Sequence, residues 1–381
     1  MVMLTETFSS RSPVTIFEQD DPTRVIQQRS RRAGWLMLGL TALIAVGLSL
    51  LPAPYVIDHP GPTFDTLGSV ETSGGDVSLI SISGAPTYEP SGELRLTTVT
   101  RSGNPENLPG WLDVVTGWLD PSRTVIPVDV AYPPGVSVEA NLEAAQIEMR
   151  NSQQESVAAA LGYVGVPYTS LLVVAQAMEG GPSEGVLESD DVVVQAAGQS
   201  VSDVSQLREI IADSGAGKPL ELLVERAGRL ETIEVVPRLS EGDTRVPMIG
   251  IVVSGRYEFP IEVDIALENV GGPSAGLVFA LGIVEMLSKE DLTSGTVIAG
   301  TGTITAGGDV GSIGGIRHKM LGALNDGASV FLAPASNCPD IVGHIPEGLV
   351  VVPVATLSEA VDALRLFAAG EPTPSCPGRS G

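Results

Sequence analysis

The chain has 381 residues, of which 43% are hydrophobic and 18% charged, and its formal net charge at pH 7 is −25. This length allows two or three domains with a sizeable core. The negative charge argues against nucleic-acid partners and against broad adhesion to anionic lipids, because phosphates would be repelled. The sequence contains neither a G-x-x-x-x-G-K-[ST] loop nor an H-E-x-x-H motif. We therefore expect no nucleotide, no metal and no other cofactor.

The N-terminal part of the chain predicts a membrane anchor. Residues 33–57 carry no charge over 25 positions, and roughly 20 apolar residues are enough to span a bilayer core. Four arginines lie in the nine residues before this run, and the next basic residue after it is Arg95. The positive-inside rule therefore predicts a disordered cytoplasmic segment over 1–33, a transmembrane anchor over 34–57 and an extracytoplasmic location for the rest of the chain.

A cleaved signal peptide is the alternative interpretation of the same segment. Its positively charged region would be unusually long, and Pro52 and Pro54 crowd the A-x-A-like cleavage site. We therefore favour an anchor that is retained.

The region 58–165 predicts short strands followed by one long helix. Its runs at 76–83 and 93–100 have strand-like patterns, and 141–161 predicts a helix. We expect this extracytoplasmic region to pack with the C-terminal domain. One less polar stripe of the helix consists of Leu142, Ala145, Met149, Ser152 and Ser156.

The segment 166–240 predicts a compact β-rich unit. It contains an amphipathic helix, "VSQLREIIADS", and then a hairpin that turns at Ala227-Gly228. Gly181-Pro182-Ser183 and Gly185-Val186-Leu187 loosely match the pattern of bacterial, protease-associated PDZ domains, and the unit resembles such a domain. Asp190-Asp191 departs from the Gly-Asp usual there. The resemblance implies a groove that binds an added peptide strand, with "ALGYVGVP" at 160–167 as the best candidate for its carboxylate-binding loop.

The segment 245–367 predicts an α+β domain, because strand-like and helical runs alternate along it. We expect helices at 315–326 and from about Ser358 to Leu366, and a flexible tail over 368–381. The only two cysteines, Cys338 and Cys376, lie on the predicted outer side. They are able to pair there, and two unrelated thiols are the alternative.

Ser274 is the candidate nucleophile. Gly272-Pro273-Ser274-Ala275-Gly276 fits the G-x-S-x-G pattern of a serine on a strand-to-helix turn. The helix that follows has no polar side, so it is predicted to be buried with Ser274 at its positive end. Backbone N–H groups from Gly272 to Ala275 would then be placed to hold an oxyanion. A structural serine that only caps the helix is the alternative.

A serine nucleophile needs a base, and the chain offers two kinds. A hydrolase-type triad would use Asp326 or Asp340 with His344. Alternatively, Lys319 falls within the apolar stripe of the predicted helix 315–326. Burial there would lower the pKa of its amine, as a lysine base requires. A lysine whose stem only covers apolar surface is the structural alternative.

Two motifs together resemble the serine–lysine proteases of the Lon family. Gly272-Pro273-Ser274-Ala275-Gly276 matches the family's nucleophile segment, and Gly314-Gly315-Ile316-Arg317-His318-Lys319 matches its G-G-[LIV]-x-x-K segment 45 positions later. The stretch "GTGTITAGGDVGSIGG" between them is also similar, and the resemblance places Thr301 near the lysine amine. An acid is usual three positions before the serine, where this chain has Gly271.

With the anchor and the PDZ-like unit, the chain resembles the membrane-anchored, PDZ-containing Lon-like proteases of Gram-positive bacteria, which lack the ATPase module. The resemblance implies an ATP-independent, extracytoplasmic serine endopeptidase, with Ser274 as nucleophile and Lys319 as base. Thr301, Gly272, Pro273 and Ala275 would support them. Its partners would be protein or peptide substrates and the membrane. A PDZ adaptor on a platform that no longer cleaves is the alternative function, and the oligomeric state is left open.

Overall fold

The computed structural model describes residues 34–44, 46–47, 51–72, 75–132, 137–201, 204–240, 245–267 and 270–377. The predicted cytoplasmic segment, 1–33, lies outside the described residues.

The predicted anchor is described in part. Residues 34–44 and 46–47 are helical, and their large apolar side chains are exposed. In the part of the chain that the structure describes, no helix combines the length and apolar character needed to cross a membrane. The boundary predicted at residue 57 is wrong, because a sheet strand begins at Tyr55.

Among the described residues after position 50, the chain forms twenty strands and eight α-helices. The first ten strands are β1 Tyr55–Asp65, β2 Ser69–Thr72, β3 Gly75–Ser78, β4 Ile80–Ser83, β5 Glu93–Ser102, β6 Thr124–Pro127, β7 Thr169–Ala177, β8 Val192–Ala196, β9 Gln199–Ser200 and β10 Leu220–Arg226. The other ten are β11 Arg229–Val235, β12 Arg238–Leu239, β13 Pro247–Met248, β14 Ile251–Glu258, β15 Glu262–Ile265, β16 Val297–Gly300, β17 Thr303–Ile304, β18 Val310–Gly311, β19 Val330–Pro334 and β20 Val350–Val354. The helices are α1 Trp111–Leu119, α2 Val128–Ala131, α3 Val138–Tyr163, α4 Val204–Ser214, α5 Gly276–Leu287, α6 Ile316–Asn325, α7 Cys338–Ile341 and α8 Leu357–Ala368.

The larger core is built on a six-stranded sheet of order β20-β19-β16-β5-β1-β6. The four strands β20, β19, β16 and β5 are parallel, whereas β1 is antiparallel to both of its neighbours. The strand β19 is buried at every residue, as expected for a parallel strand covered on both faces. The N-terminal region therefore shares one sheet with the C-terminal domain.

The helix α5 lies inside this core. Its sequence, GLVFALGIVEML, has no polar side, and its residues from Gly276 to Glu285 are all buried. It packs in one hydrophobic cluster with parts of α3 and α8, so the start of α5 is held on several sides.

The second sheet forms the β-rich unit, with the order β11-β10-β8-β7-β14 and β9 paired to β8. The predicted hairpin is confirmed, because β10 and β11 pair around Ala227 and Gly228, both at positive φ, as a type I′ turn requires. The predicted C-terminal domain, 245–367, includes the run that forms β14. The structure instead pairs it along the length of β7.

The C-terminal tail is tied to the domain as far as the structure describes it. A disulfide joins Cys338, at the start of α7, to Cys376, so the two cysteines pair and are not separate thiols. The predicted flexible tail is therefore tethered at residue 376, and Cys376 packs beside the buried cluster around Ile316 and Met320.

Candidate active site

Ser274 lies in the loop that leads into α5. The loop turns at Gly272, whose φ of +88° is in the left-handed region that glycine tolerates best. Ser274 is half-buried, while Ala275 and the helix after it are fully buried. The side chain of Ser274 therefore remains accessible from a cleft, although its backbone is fixed by the core.

The long helix α3 holds this loop through hydrogen bonds. Ser152 Oγ donates to Pro273 O at 3.0 Å, and Ser156 Oγ lies 2.9 Å from Gly276 O. These contacts require a close approach, because a Cβ added to Gly276 would lie 2.8 Å from Ser152 Oγ. The glycine after Ala275 is thus needed for packing against α3.

The missing acid at Gly271 has a structural explanation. The N–H of Gly272 donates to Ala145 O at 2.8 Å, which draws the loop against α3. A Cβ added to Gly271 would lie 2.8 Å from Ala145 Cβ, so a side chain at this position would displace the loop or the helix. The loop therefore carries no acid at this position.

Lys319 reaches Ser274 from the first turn of α6. This helix follows Gly315, whose φ is +70°, and it buries Ile316, Met320 and Ala323 against the sheet. Lys319 lies in the same buried stripe and is 3% exposed. Its Nζ lies 2.7 Å from Ser274 Oγ, so residues 45 positions apart in the sequence are in hydrogen-bond contact.

Burial lowers the pKa of the Lys319 amine to about 7, because the charged form loses its hydration. The N-terminal end of a helix also disfavours a positive charge in its first turn. A large share of the amine is therefore neutral near pH 7, with a lone pair able to accept a proton.

Thr301 fixes the direction of that lone pair. Its Oγ1 donates to Ser274 O at 2.9 Å, which uses its one hydroxyl proton. Lys319 Nζ lies 2.9 Å from the same Oγ1 and must donate to it. With an N–H committed to the buried Thr301, the lone pair of a neutral amine is free to face the hydroxyl of Ser274.

Of the four residues from Gly272 to Ala275 that were predicted to hold an oxyanion, two have an N–H group available for it. Gly272 gives its N–H to Ala145 O, and Pro273 has no N–H. The N–H groups of Ser274 and Ala275 donate to no acceptor among the described residues, and they lie at the start of α5. These two groups are therefore the available donors for an oxyanion.

Ser274 and Lys319 lie at a cleft of about 710 Å³. Its walls include Phe64, Met149 and Val270, which give it an apolar side. His344, of the alternative triad, is exposed and does not line this cleft. His318 is buried, and its ring nitrogens lie 3.0 Å from Ser122 O and from Thr124 Oγ1.

The sequence predicts no role for Ser152 and Ser156. Both were noted in a less polar stripe of the long helix, and two serines one turn apart in a stripe that turns out to be buried require partners. Ser156 Oγ also contacts Ser152 O one turn earlier. The acceptors in the loop lie 121 and 120 positions away from the two serines, so the sequence alone could not name them. In the described part of the chain, no group of three or more His, Cys, Asp or Glu side chains is arranged to hold a metal.

Comparison with curated proteins finds Lon proteases. The chain is 27% identical over 184 residues to the Lon protease of Xanthomonas oryzae pv. oryzae, covering 47% of this chain and 21% of that protein. It is 36% identical over 107 residues to the Lon protease of Neorickettsia sennetsu, covering 27% and 12%. The chain thus spans about a fifth or less of the length of these relatives.

Comparison with solved structures finds PDZ domains. The PDZ domain of the SdrC-like protein from Listeria monocytogenes matches with a TM-score of 0.20 and 16% identity, covering 22% of this chain and 85% of that one. The PDZ domain of the SdrC-like protein from Listeria innocua matches with a TM-score of 0.21 and 19% identity, covering 22% and 92%.

The part of the chain that contains Ser274 and Lys319 also matches a family model. Ser274, Thr301 and Lys319 all fall within residues 266–365. These residues match the Lon protease (S16) C-terminal proteolytic domain.

Proposed function

We propose that the chain is a serine endopeptidase in which Ser274 is the nucleophile and Lys319 the general base. The observation that carries this proposal is the 2.7 Å contact between the buried Lys319 Nζ and Ser274 Oγ. The match of residues 266–365 to a Lon proteolytic domain supports the same reaction class.

The geometry supports a two-step acyl transfer. Ser274 Oγ attacks the scissile carbonyl carbon while its proton passes to neutral Lys319, and the N–H groups of Ser274 and Ala275 hold the resulting oxyanion. The Lys319 ammonium then gives the proton to the leaving amine, and an acyl ester remains on Ser274. Lys319 next takes a proton from water as the water oxygen attacks the acyl carbon. The Lys319 ammonium then returns this proton to Ser274 Oγ as the bond between Oγ and the acyl carbon breaks, which releases the acid and regenerates both residues.

We further propose that this hydrolysis needs no nucleotide and takes place outside the cytoplasm, with the chain held by a membrane anchor that begins at residue 34 and ends before β1. The sequence has no phosphate-binding G-x-x-x-x-G-K-[ST] loop. The Cys338–Cys376 disulfide supports an oxidising compartment. Equal peptide turnover with and without ATP and Mg²⁺ is the expected result, and stimulation by ATP would contradict it.

The β-rich unit is proposed to recognise the substrate as a PDZ-like module. A groove lies between α4 and β14, lined by Leu207, Ile211 and residues 246–253. In this sheet β14 is the last strand, so its outer edge is the place where an added peptide strand would pair. The loop predicted at 160–167 does not line this groove. Residues 160–163 belong to α3 instead.

Ala212 provides a test of this groove. It is exposed and lines the groove, so Ala212→Glu should obstruct a bound strand without disturbing the core. We expect a higher KM for a folded protein substrate and an unchanged kcat/KM for a short peptide. Asp213→Ala, one position along α4, is the control, and equal KM values for all three proteins would refute the recognition role.

A non-catalytic PDZ adaptor is the alternative function. A fluorophosphonate probe separates it from a peptidase, because the probe reacts only with an activated serine. We expect labelling of the wild type, and none of Ser274→Ala or Lys319→Ala. An unlabelled wild type that still binds peptides would favour the adaptor.

A further inference from the structure

The helix α1 has three faces of different character, as follows from placing successive residues about 100° apart around its axis. Val114 and Gly117 are buried against the protein, and Asp113, Thr116 and Asp120 lie on a polar side. The third face is apolar and exposed. It consists of Leu112, Val115, Trp118 and Leu119, with Leu119 80% exposed.

This apolar face adjoins the point where the charge-free segment 33–57 enters the folded part of the chain. The Trp111 N–H donates to Leu51 O at 3.3 Å, and the Ala53 N–H donates to Pro109 O at 2.8 Å. The helix α2 is fixed at the same point, because the Val128 N–H donates to Pro54 O at 3.1 Å. We call the exposed residues around this point the entry patch: Leu51, Leu112, Val115, Trp118, Leu119 and Val130.

The position of the entry patch beside the predicted anchor indicates which kind of surface it suits. Exposed apolar side chains continue upstream through the helical residues 34–44 and 46–47. If that segment spans a bilayer, the entry patch lies at the membrane surface, at the point where the chain leaves the lipid. An apolar helix face with a tryptophan suits the membrane interface, and the acids at positions 113 and 120 beside it do not favour an anionic lipid surface.

We propose that the entry patch lies on the outer surface of a neutral lipid bilayer and orients the catalytic domain on it. This inference rests on the proposed membrane anchor and adds a second attachment point beside it. Tyr55 packs edge-on against Trp111 and Trp118, with ring centroids 5.9 and 5.8 Å apart. The strand β1 therefore starts beneath the patch.

The attachment would set the height of the active site above the lipid. Pro62, seven residues along β1, lines the cleft of Ser274 and Lys319. Seven extended residues span about 23 Å, and this is an upper limit because β1 is irregular between Pro60 and Thr63. Peptide segments close to the membrane surface would be the ones within reach of the dyad.

The test uses the full chain in phosphatidylcholine vesicles with one nitroxide label at a time. The two native cysteines are joined, so Leu119→Cys introduces a single reactive thiol. Leu43→Cys reports on the anchor, and Leu230→Cys, exposed on the β10–β11 hairpin, is the matched control. Accessibility to oxygen, compared with that to a polar nickel complex, gives the depth of each label, and cleavage of a soluble peptide verifies the fold.

We expect the label at 43 deep in the lipid, the label at 119 roughly 5–10 Å into the interface and the label at 230 in water. High salt should not release the label at 119, because the contact is apolar. A label at 119 as water-accessible as the one at 230, with 43 in lipid, would overturn the inference and leave the anchor intact. Spin–spin broadening at 119 would show a second copy on the patch and would also overturn it. If the label at 43 is in water as well, both the membrane anchor and the membrane contact of the entry patch are refuted. The proposed peptidase activity does not depend on this result.

Discussion

The Lys319 amine loses its hydration in the folded chain, and this lowers its pKa to about 7. Because only the neutral amine accepts the serine proton, kcat/KM should rise with pH through about 7 and then level off. The measurement is a pH–rate profile with a fluorogenic peptide. Lys319→Arg should be inactive at every pH, since a guanidinium stays protonated. A flat profile from pH 6 to 9 would contradict the assignment.

The same shift predicts how stability depends on pH. Between pH values of about 7 and the ordinary lysine pKa of 10.5, the unfolded chain holds a proton on this lysine and the folded chain does not. Because the unfolded state binds more protons in this window, the lysine makes stability rise with pH. Lys319→Met, which fits the buried stripe, should therefore be more stable than wild type, most strongly at and below pH 7. Urea unfolding at pH 7 and pH 10 measures this, and an equal difference at both would contradict it.

Thr301 should act by orienting the lysine. Thr301→Val keeps the shape but removes the acceptor for Lys319 and the donor to Ser274 O, whereas Thr301→Ser keeps both. A hydrogen bond involving a charged group contributes about 1.5–3 kcal/mol, so kcat should fall roughly 10- to 100-fold in Thr301→Val. The serine variant should stay near wild type. Equal kcat in both variants would leave Thr301 without this role.

At the scale of single elements, α5 carries a buried carboxyl that the sequence did not reveal as important. Glu285 is 3% exposed and accepts from the N–H of Leu292 at 2.9 Å. Burial raises its pKa to about 7. The hydrogen bonds of its carboxyl group form only when the loop after α5 folds back over the helix.

Glu285 therefore predicts a second pH effect, opposite in sign. Its pKa in the folded chain is above the ordinary glutamate value of 4.5. The folded chain therefore binds more protons between pH values of about 4.5 and 7, and stability falls as pH rises through this window. Relative to Glu285→Gln, wild type should lose melting temperature from pH 5 to pH 8. Glu347→Gln, on an exposed turn, is the control. A constant difference between wild type and Glu285→Gln would contradict the prediction.

The periodicity of apolar residues predicted most helices and strands, but it did not predict which strands pair with each other. The predicted helix 141–161 is α3, and 315–326 became α6, one residue shorter at each end. The strand β14 was assigned to the wrong unit because its alternation is the same in either sheet. Its pairing with β7 depends on residues about 80 positions away.

At the scale of the whole molecule, the dyad was predictable because each half sits in a short contiguous motif. The hydrogen bonds that Ser152 and Ser156 make to the loop were not predictable, because they form where α3 crosses the loop before α5. For the same reason, the sequence could not show that only Ser274 and Ala275 keep N–H groups available for an oxyanion. Ala145 on α3 likewise explains Gly271.

The disulfide predicts a loss of stability on reduction. Cys338 and Cys376 close a loop of 38 residues, and a bond of this span contributes about 4 kcal/mol in the chain-entropy account. Reductant should lower the urea midpoint of wild type toward that of Cys376→Ser, which should itself be insensitive to reductant. Two reactive thiols in native, unreduced protein would mean that no bond is present.

The most direct measurement of the central claim is kcat/KM for peptide cleavage by wild type, Ser274→Ala, Lys319→Ala and His344→Ala, without nucleotide. Since dyad members act as a unit, the first two variants should each lose roughly four orders of magnitude or more. His344→Ala should equal wild type. If Lys319→Ala keeps substantial turnover while His344→Ala has none, lysine is not the base and the serine–lysine mechanism is wrong.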